Sequence, residues 1–350
     1  MPARKFDVVG IGNAIVDVIA RTEDDFLVAE GLAKGSMRLI DGEEAERLYG
    51  RMGPSIEMSG GSAANTIAGL ASFGAAGGFV GKVADDALGR IFAHDIRAIG
   101  VEFDTLPLDG GTATARSLIL VTPDGERTMN TFLGACQELY PEDIHESFVG
   151  EAAVVYLEGY LWDPEPAKAA FRKAADIAHA KGGKVAFSLS DAFCVDRYRP
   201  DFLELMRSGA IDILFGNESE IHALYQTGDF TTAVEQLRAD VPLAVTTRGV
   251  EGSVVTLGPG TYQVPAAAVE DVVDTTGAGD LFAAGFLFGH ARGLPIITCA
   301  ELAALAAGRV ISHMGARPQV SLKVLAQPRR LDLRSPQAFR SRPFRLRGRR

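Results

Sequence analysis

One short run near residue 277 combines two glycines with a carboxylate at the mouth of an apolar helix. The run is Asp274 to Asp280, with sequence DTTGAGD, and Leu281 to Phe286 follow it. Bare backbone N–H groups and the dipole of a helix that begins there can hold an anion. Because a carboxylate repels an anion, Asp280 is better suited to accept a proton from a hydroxyl that attacks it. The run therefore predicts phosphoryl transfer to an alcohol, against the alternative of a plain loop with Asp280 as a helix N-cap.

Composition and charge limit the classes of protein to which the chain can belong. It has 350 residues, 47% of them hydrophobic, which is enough for one large domain or two with a buried core. The net charge is −10 although residues 329–350 contain nine arginines and a single acid. An acidic body argues against nucleic acid as the main ligand, and an arginine-rich segment with prolines is typical of a disordered tail.

Cysteine usage and hydropathy indicate a compartment. Cys136, Cys194 and Cys299 are far apart and form no C-x-x-C pair. The first residues lack the apolar core of a signal peptide, and no apolar run reaches the roughly 18 residues of a membrane helix. We therefore expect a soluble cytoplasmic protein that does not bind membranes.

The order of apolar segments predicts an α/β fold. Short apolar strands, beginning with residues 6–12, alternate with helical patterns such as residues 63–73 and 166–180, which is typical of a mostly parallel sheet covered by helices. Two segments break this alternation, and the second contains a Pro-Asp-Gly turn at residues 123–125 that favours a hairpin. We predict a lid from residues 19–40 and 111–135 that excludes water, on a main domain of residues 6–18, 41–110 and 136–322.

Polar residues follow several predicted strands, where open α/β sheets bind ligands. Each has an alternative as a turn or a helix cap. The groups are Asn13 and Asp17, the Gly60 to Asn65 segment, Asn217 to Glu220, and Thr246 to Gly249. The Gly10 and Gly81 regions match dinucleotide and P-loop patterns only in part, and no paired-cysteine zinc pattern or serine hydrolase motif is present.

Taken together, these motifs resemble the ribokinase or PfkB-type carbohydrate and nucleoside kinase family over nearly all of residues 6–320, and within it the adenosine kinases. The segments that carry the resemblance are residues 12–17, 60–65, 188–193, 211–218 and 274–280. It implies a ribokinase-like three-layer α/β sandwich with a small β-sheet lid. It also implies transfer of the γ-phosphoryl group of ATP to a hydroxyl group.

The resemblance assigns a role to each matching position. Transfer would depend on Asp280 as general base, on the N–H groups of Gly277, Ala278 and Gly279 as an anion hole, and on Arg127 to neutralise phosphate charge. The substrate would contact Asn13, Asp17, Gly60, Gly61, Ser62, Asn65, Met129, Leu133, Tyr160 and Phe193. The nucleotide would contact Asn217, Glu220, Thr247, Arg248, Gly249, Gly277 and Gly279, and Asn217 and Glu220 would act on Mg²⁺ through water.

The implied acceptor is the 5′-hydroxyl of a nucleoside, most closely adenosine, whose purine needs apolar and aromatic walls. Guanosine, inosine, ribose and fructose stay open as alternatives, because residues 158–162 depart from the aromatic pair that adenosine kinases carry. A nucleoside-binding protein without activity is a further alternative. The expected ligands are ATP and Mg²⁺, with a monovalent cation such as K⁺ also compatible, and the expected state is a monomer or a homodimer.

Overall fold

The computed structural model describes residues 4–326. The strands are β1 Phe6–Ile11, β2 Ile15–Arg21, β3 Met37–Leu39, β4 Ser55–Gly60, β5 Gly77–Val80, β6 Glu102–Phe103, β7 Ala115–Val121, β8 Arg127–Phe132, β9 Ala152–Glu158, β10 Lys184–Ser188, β11 Ile213–Asn217, β12 Leu243–Thr247, β13 Ser253–Leu257 and β14 Gly260–Val264. The helices are α1 Asp24–Ala29, α2 Gly42–Tyr49, α3 Ser62–Ser72, α4 Ala87–Ala98, α5 Glu146–Val149, α6 Glu165–Ala180, α7 Ala192–Arg207, α8 Glu218–Tyr225, α9 Phe230–Asp240, α10 Ala278–Ala291, α11 Ile296–Val310 and α12 Leu322–Ala326. The basic tail predicted at residues 329–350 lies outside the described residues.

Nine strands form the main sheet, in the order β14-β13-β12-β11-β10-β9-β1-β5-β6. The pairs from β12 to β6 are parallel, and β13 and β14 extend the sheet as antiparallel strands. Apolar side chains on its two faces belong to two hydrophobic cores, one with α3, α10 and α11 and the other with α6 to α9. This three-layer α/β arrangement confirms the predicted fold class. Within residues 4–326 no helix has both the length and the apolar character needed to cross a bilayer.

A second sheet of five strands, in the order β3-β8-β7-β2-β4, forms the predicted small β-sheet. In β2 the even-numbered Val16 and Val18 are fully buried in the core, so the odd-numbered Ile15, Asp17 and Ile19 lie on the opposite face. The register aligns Asp17 with Ser117 and Ser117 with Thr131. Odd-numbered positions of four strands therefore share one face.

The strands of the second sheet come from a longer part of the chain than the predicted lid segments. The predicted boundary after residue 18 falls inside β2, and residues 41–60, which were assigned to the main domain, contain α2 and β4, the edge strand of the second sheet. The β4 sequence SIEMSG alternates polar and apolar residues, as a strand does, but so short a pattern does not show which sheet the strand joins. Within the predicted lid segment of residues 19–40, residues 24–29 form the helix α1.

Candidate active site

A cavity of about 1030 Å³ lies between the carboxyl ends of the main parallel strands and the odd-numbered face of the second sheet. It brings together most of the predicted site residues, although they are up to 267 positions apart in sequence. Those that line it are Asn13, Asp17, Gly61, Ser62, Asn65, Met129, Leu133, Tyr160, Phe193, Asn217, Glu220, Thr247, Gly277, Ala278, Gly279 and Asp280. Both the acceptor and the nucleotide sides of the predicted site therefore open into one space.

Four of the predicted residues do not line this cavity, and the structure gives each another contact. The Gly60 backbone passes so close to the Asp17 carboxylate that a Cβ atom there would lie 2.4 Å from it. Arg248 makes a two-pronged ion pair with Glu218, and Gly249 lies in the adjoining turn. Gly60 thus makes room for Asp17, whereas the Arg248 guanidinium is already occupied by a carboxylate. The fourth, Arg127, begins β8 and contacts Asp274 and Thr276 of the Gly-rich loop.

Asp280 lies in the first turn of α10 and is held by two donors from α3. The Ser62 hydroxyl donates to its Oδ1 at 2.6 Å, and the Asn65 amide donates to its Oδ2 at 3.1 Å. The side chain is half-buried, and its open side faces the cavity. Burial deep in the protein raises the pKa of Asp280 to about 6, against the opposing effect of these hydrogen bonds. A fixed carboxylate with this pKa can accept a proton at neutral pH.

The Gly-rich loop ahead of α10 is held by Asp274. Its carboxylate pairs with Arg127 Nη1 at 2.6 Å and accepts the Thr276 and Gly315 N–H groups. Gly277 follows with φ of 78°, a left-handed conformation that favours glycine. Arg127 thus lies behind the loop, and its ion pair with Asp274 fixes the backbone that opens the helix.

Asp17 projects from β2 into the cavity, on the same odd-numbered face of the second sheet as Ser117. Burial raises the pKa of Asp17 to about 6, and the positive charges of Arg317 and Arg127 act against that rise. Asn13, at the end of β1, donates its side-chain amide to Glu158 Oε1 at 2.8 Å. Two carboxylates, Asp17 and Asp280, therefore face the same part of the cavity, where hydroxyl groups of a ligand could donate to them.

Glu158 was missed as a site residue from the sequence. It ends β9, and its Oε2 accepts the Ala63 N–H at 2.8 Å, so it joins Asn13 to the beginning of α3. Burial raises the pKa of Glu158 to about 7. Its place directly after an apolar strand was the available signal, because polar residues at that point in parallel sheets face the ligand crevice.

Gly61 allows a prediction about how this region is built. Its φ is 97°, and a Cβ atom there would lie 2.2 Å from the Asn13 carbonyl oxygen. Gly61→Ala should lower the free energy of unfolding by about 2 kcal/mol or more, since strain and a backbone clash add. Gly100→Ala is the matched control, because Gly100 also has a positive φ, 87°, but open space around it. Urea unfolding compares the two, and an equal loss in both would contradict the clash.

Asn217 and Glu220 form a reciprocal cap at the start of α8. The Asn217 N–H donates to Glu220 Oε2 at 2.9 Å, and the Glu220 N–H donates to Asn217 Oδ1 at 2.9 Å. Within residues 4–326 no group of three or more His, Cys, Asp or Glu side chains could hold a metal ion. Both residues line the cavity, and a carboxylate or amide oxygen that accepts one hydrogen bond can accept a second, so the pair fits Mg²⁺ held through water and does not fit direct ligation by a protein cage.

The roof of the cavity is mainly apolar. Met37, Leu39, Ile119 and Met129 come from the odd-numbered positions of β3, β7 and β8 and lie opposite the polar strand ends. At the mouth, the ring of Phe193 is 76% exposed. The cavity is therefore polar at the strand ends of the main sheet, and the face of the second sheet is mainly apolar except at Asp17 and the hydroxyls beside it.

Further polar groups lie on both sides of the cavity. The Ser117 and Thr131 hydroxyls lie 3.0 Å apart on the roof and hydrogen-bond to each other. Tyr160 donates its hydroxyl to the Ser190 carbonyl oxygen, and Ser190 has φ of 73°, unusual for serine. No sequence pattern indicates the hydroxyl pair, because it depends on the register of two strands.

Residues 54–322 match the model of the pfkB family carbohydrate kinases, and the chain belongs to this family. Its members transfer a phosphoryl group to a hydroxyl group and use ATP, so the protein is a kinase and the predicted resemblance is confirmed.

Individual relatives in the family differ in their named substrates. The chain is 58% identical to the adenosine kinase from Sinorhizobium meliloti, with a TM-score of 0.87 over 93% of this chain and 99% of that one. It is 52% identical to a probable sugar kinase protein from Rhizobium etli CFN 42, with a TM-score of 0.87 over 93% of this chain and 98% of that one. It is also 29% identical over 270 residues to a 5-dehydro-2-deoxygluconokinase from Geobacillus thermodenitrificans, which covers 72% of this chain and 78% of the relative.

Proposed function

We propose that this kinase transfers the γ-phosphoryl group of ATP to the 5′-hydroxyl of adenosine. The observation that carries the proposal is a single cavity in which the carboxylates Asp17 and Asp280 and the amide of Asn13 lie beside the apolar side chains of the roof. A ribose needs hydrogen-bond acceptors for its hydroxyls, and a purine needs apolar surface for its faces. The likeness to the adenosine kinase from Sinorhizobium meliloti supports the same substrate.

In this proposal Asp280 removes the proton of the attacking hydroxyl. Ser62 and Asn65 aim both carboxylate oxygens, and the N-terminus of α10 places partial positive charge where the transferred phosphoryl group gains negative charge. The Ala278 N–H donates to the Thr275 carbonyl oxygen at 3.2 Å, so the amides of Gly277 and Gly279 are the main donors of the anion hole.

Asp17 and Asn13 bind the ribose hydroxyls in this proposal, and Glu158 keeps the Asn13 amide in place. Thr247, Asn217 and Glu220 lie on the nucleotide side of the cavity. When Mg²⁺ is bound with ATP, it neutralises phosphate charge, and the Asn217 and Glu220 pair would hold its water shell. The second sheet acts as the lid that excludes water during transfer.

A sugar kinase is the second candidate function, and the Ser117 and Thr131 hydroxyl pair favours it. Hydroxyl groups on an otherwise apolar roof can hydrogen-bond to a polyol, whereas a purine face gains little from them. The relatives named as a probable sugar kinase and as a 5-dehydro-2-deoxygluconokinase agree with this candidate. Guanosine and inosine remain acceptors to be compared.

Shortening Met129, an apolar side chain of the roof, distinguishes an adenosine kinase from a sugar kinase. Met129→Ala should lower kcat/KM for adenosine about tenfold, since removing a contact of that size costs about 1.5 kcal/mol. Ribose is the matched ligand, because it shares the hydroxyls and lacks the base, and its kcat/KM should change less than about threefold. An equal loss for both acceptors would contradict base binding at this wall.

A further inference from the structure

Arg317 is a buried cation at the back of the site that the sequence analysis did not single out. It lies in the segment between α11 and α12, and its guanidinium reaches two separate elements. Its Nη1 donates to the Ser59 hydroxyl at 2.5 Å, and its Nε donates to Asn65 Oδ1 at 3.1 Å. Its Nη2 is buried with no hydrogen-bond partner among the described residues.

The contact with Asn65 fixes the orientation of an amide that touches Asp280. An asparagine side chain presents an acceptor on one side and donors on the other, and a guanidinium can only donate. Arg317 therefore holds the Asn65 oxygen toward itself and leaves the Asn65 NH₂ group to donate to Asp280 Oδ2 at 3.1 Å. The reversed amide would place its oxygen against the Asp280 carboxylate and its NH₂ group against the guanidinium, and both contacts are unfavourable.

The contact with Ser59 joins the same cation to the second sheet. Ser59 lies in β4, pairs with Val16 of β2, and donates its N–H to Asp95 Oδ2 at 3.0 Å. The next residues along the chain are Gly60 and Gly61, and α3 with Ser62 and Asn65 follows directly. Arg317 thus holds both ends of the segment that connects the sheet over the cavity to the partners of Asp280.

Arg317 also acts electrostatically on the carboxylates of this region. Its positive charge lowers the pKa of both Asp17 and Asp280, and it interacts with Asp95 as well. Burial lowers the pKa of Arg317 to about 10, so it stays charged at neutral pH. The other charged groups that face these carboxylates are Arg127, which lowers the pKa of Asp17, and Glu158, whose own pKa the charge of Asp280 raises.

We propose that Arg317 is a positioning residue that orients the Asn65 amide toward Asp280 and places a buried positive charge beside the carboxylates of the site. The proposal rests on the proposed role of Asp280 as the base. Arg317 then makes two separable contributions. One comes from the planar guanidinium, whose Nε and Nη1 donate to Asn65 and Ser59, and the other comes from its positive charge.

The test compares Arg317→Gln, which removes the charge, with Arg317→Lys, which keeps the charge but loses the guanidinium geometry that reaches Asn65 and Ser59 together. kcat/KM is measured from pH 5.5 to 8.5 with whichever acceptor the wild type prefers. Loss of a nearby positive charge raises the carboxylate pKa values, so in Arg317→Gln activity should fall about two- to fivefold more at pH 6 than at pH 8, relative to wild type. Arg317→Lys should lower kcat at all pH values. The pH at which its kcat/KM begins to fall on acidification should stay the same as in wild type.

Arg90→Gln is the matched control, because it removes an arginine charge from an exposed pair with Asp85 and should not move the profile. The proposal would be overturned if the pH profile of kcat/KM in Arg317→Gln had the same shape as in wild type. It would also be overturned if the acidic fall in kcat/KM shifted as far in Arg317→Lys as in Arg317→Gln. If Arg317→Gln does not fold, as judged by circular dichroism, the Arg317→Lys profile decides alone. If Asp280→Asn retains turnover, the proposed role of Asp280 as the base is wrong. An unchanged pH profile in Arg317→Gln is a different result, which contradicts only the role of Arg317.

Discussion

Replacement of Asp280 by asparagine is expected to lower kcat by about 10²–10⁴-fold while the dissociation constant for the acceptor changes by less than about threefold. Asparagine keeps the shape of the side chain and can still accept from Ser62, but it cannot take the proton of the attacking hydroxyl. The removed carboxylate acts in the transition state, so its loss should appear in kcat. Steady-state rates with ATP and calorimetric titration of the acceptor measure the two quantities.

The chain provides a matched control for this change. Asp229 caps α9 and accepts the Thr232 N–H, and it is exposed on the surface. Asp229→Asn makes the same chemical change at another helix start and keeps the cap, so kcat should stay within about twofold of wild type. Weakened acceptor binding with unchanged turnover in Asp280→Asn would contradict the role of Asp280 as the base.

Replacement of Asp17 by asparagine is expected to raise KM for adenosine about 10- to 100-fold. Hydrogen bonds to a charged group contribute about 1.5–3 kcal/mol, and Asp17 can accept from two vicinal hydroxyls. Because these bonds form in both the ground state and the transition state, kcat should fall much less than KM rises. The kinetics should be measured at pH 8, where a carboxyl group with a pKa of about 6 is ionised.

A second acceptor isolates the contribution of Asp17. Wild type should discriminate strongly between adenosine and 2′,3′-dideoxyadenosine, which has no vicinal hydroxyls, and Asp17→Asn should lose most of that discrimination. If the variant discriminates between the two acceptors as well as wild type does, Asp17 does not bind the ribose hydroxyls.

The sequence was most informative where the chemistry is local. The Gly-rich run and Asp280 are consecutive, and the helix signal follows them directly, so one segment predicted both the anion hole and the base. The polar strand ends, such as Asn13 and Asn217, could be predicted because parallel strands that bind ligands do so at their carboxyl ends. The order of apolar segments was likewise sufficient for the α/β class.

Other features depend on contacts between distant segments, which a single sequence does not show. Arg317 reaches Asn65 across 252 positions, and no local pattern marks it. The Ser117 and Thr131 pair depends on strand register, and the alternation in β4 indicates a strand without showing which sheet it joins. Glu158 did follow the strand-end rule, but it was considered only as a departure from the expected aromatic pair.

The central proposal is tested most directly by one competition experiment. Wild type and ATP are mixed with equal concentrations of adenosine, guanosine, inosine, ribose, fructose and 5-dehydro-2-deoxygluconate, and the products are separated and their phosphorylated positions assigned by phosphorus NMR. Initial product ratios give the ratios of kcat/KM. We predict that adenosine 5′-monophosphate forms in excess over every other product. A phosphorylated sugar as the main product, or a nucleoside phosphorylated at another hydroxyl, would contradict the proposal.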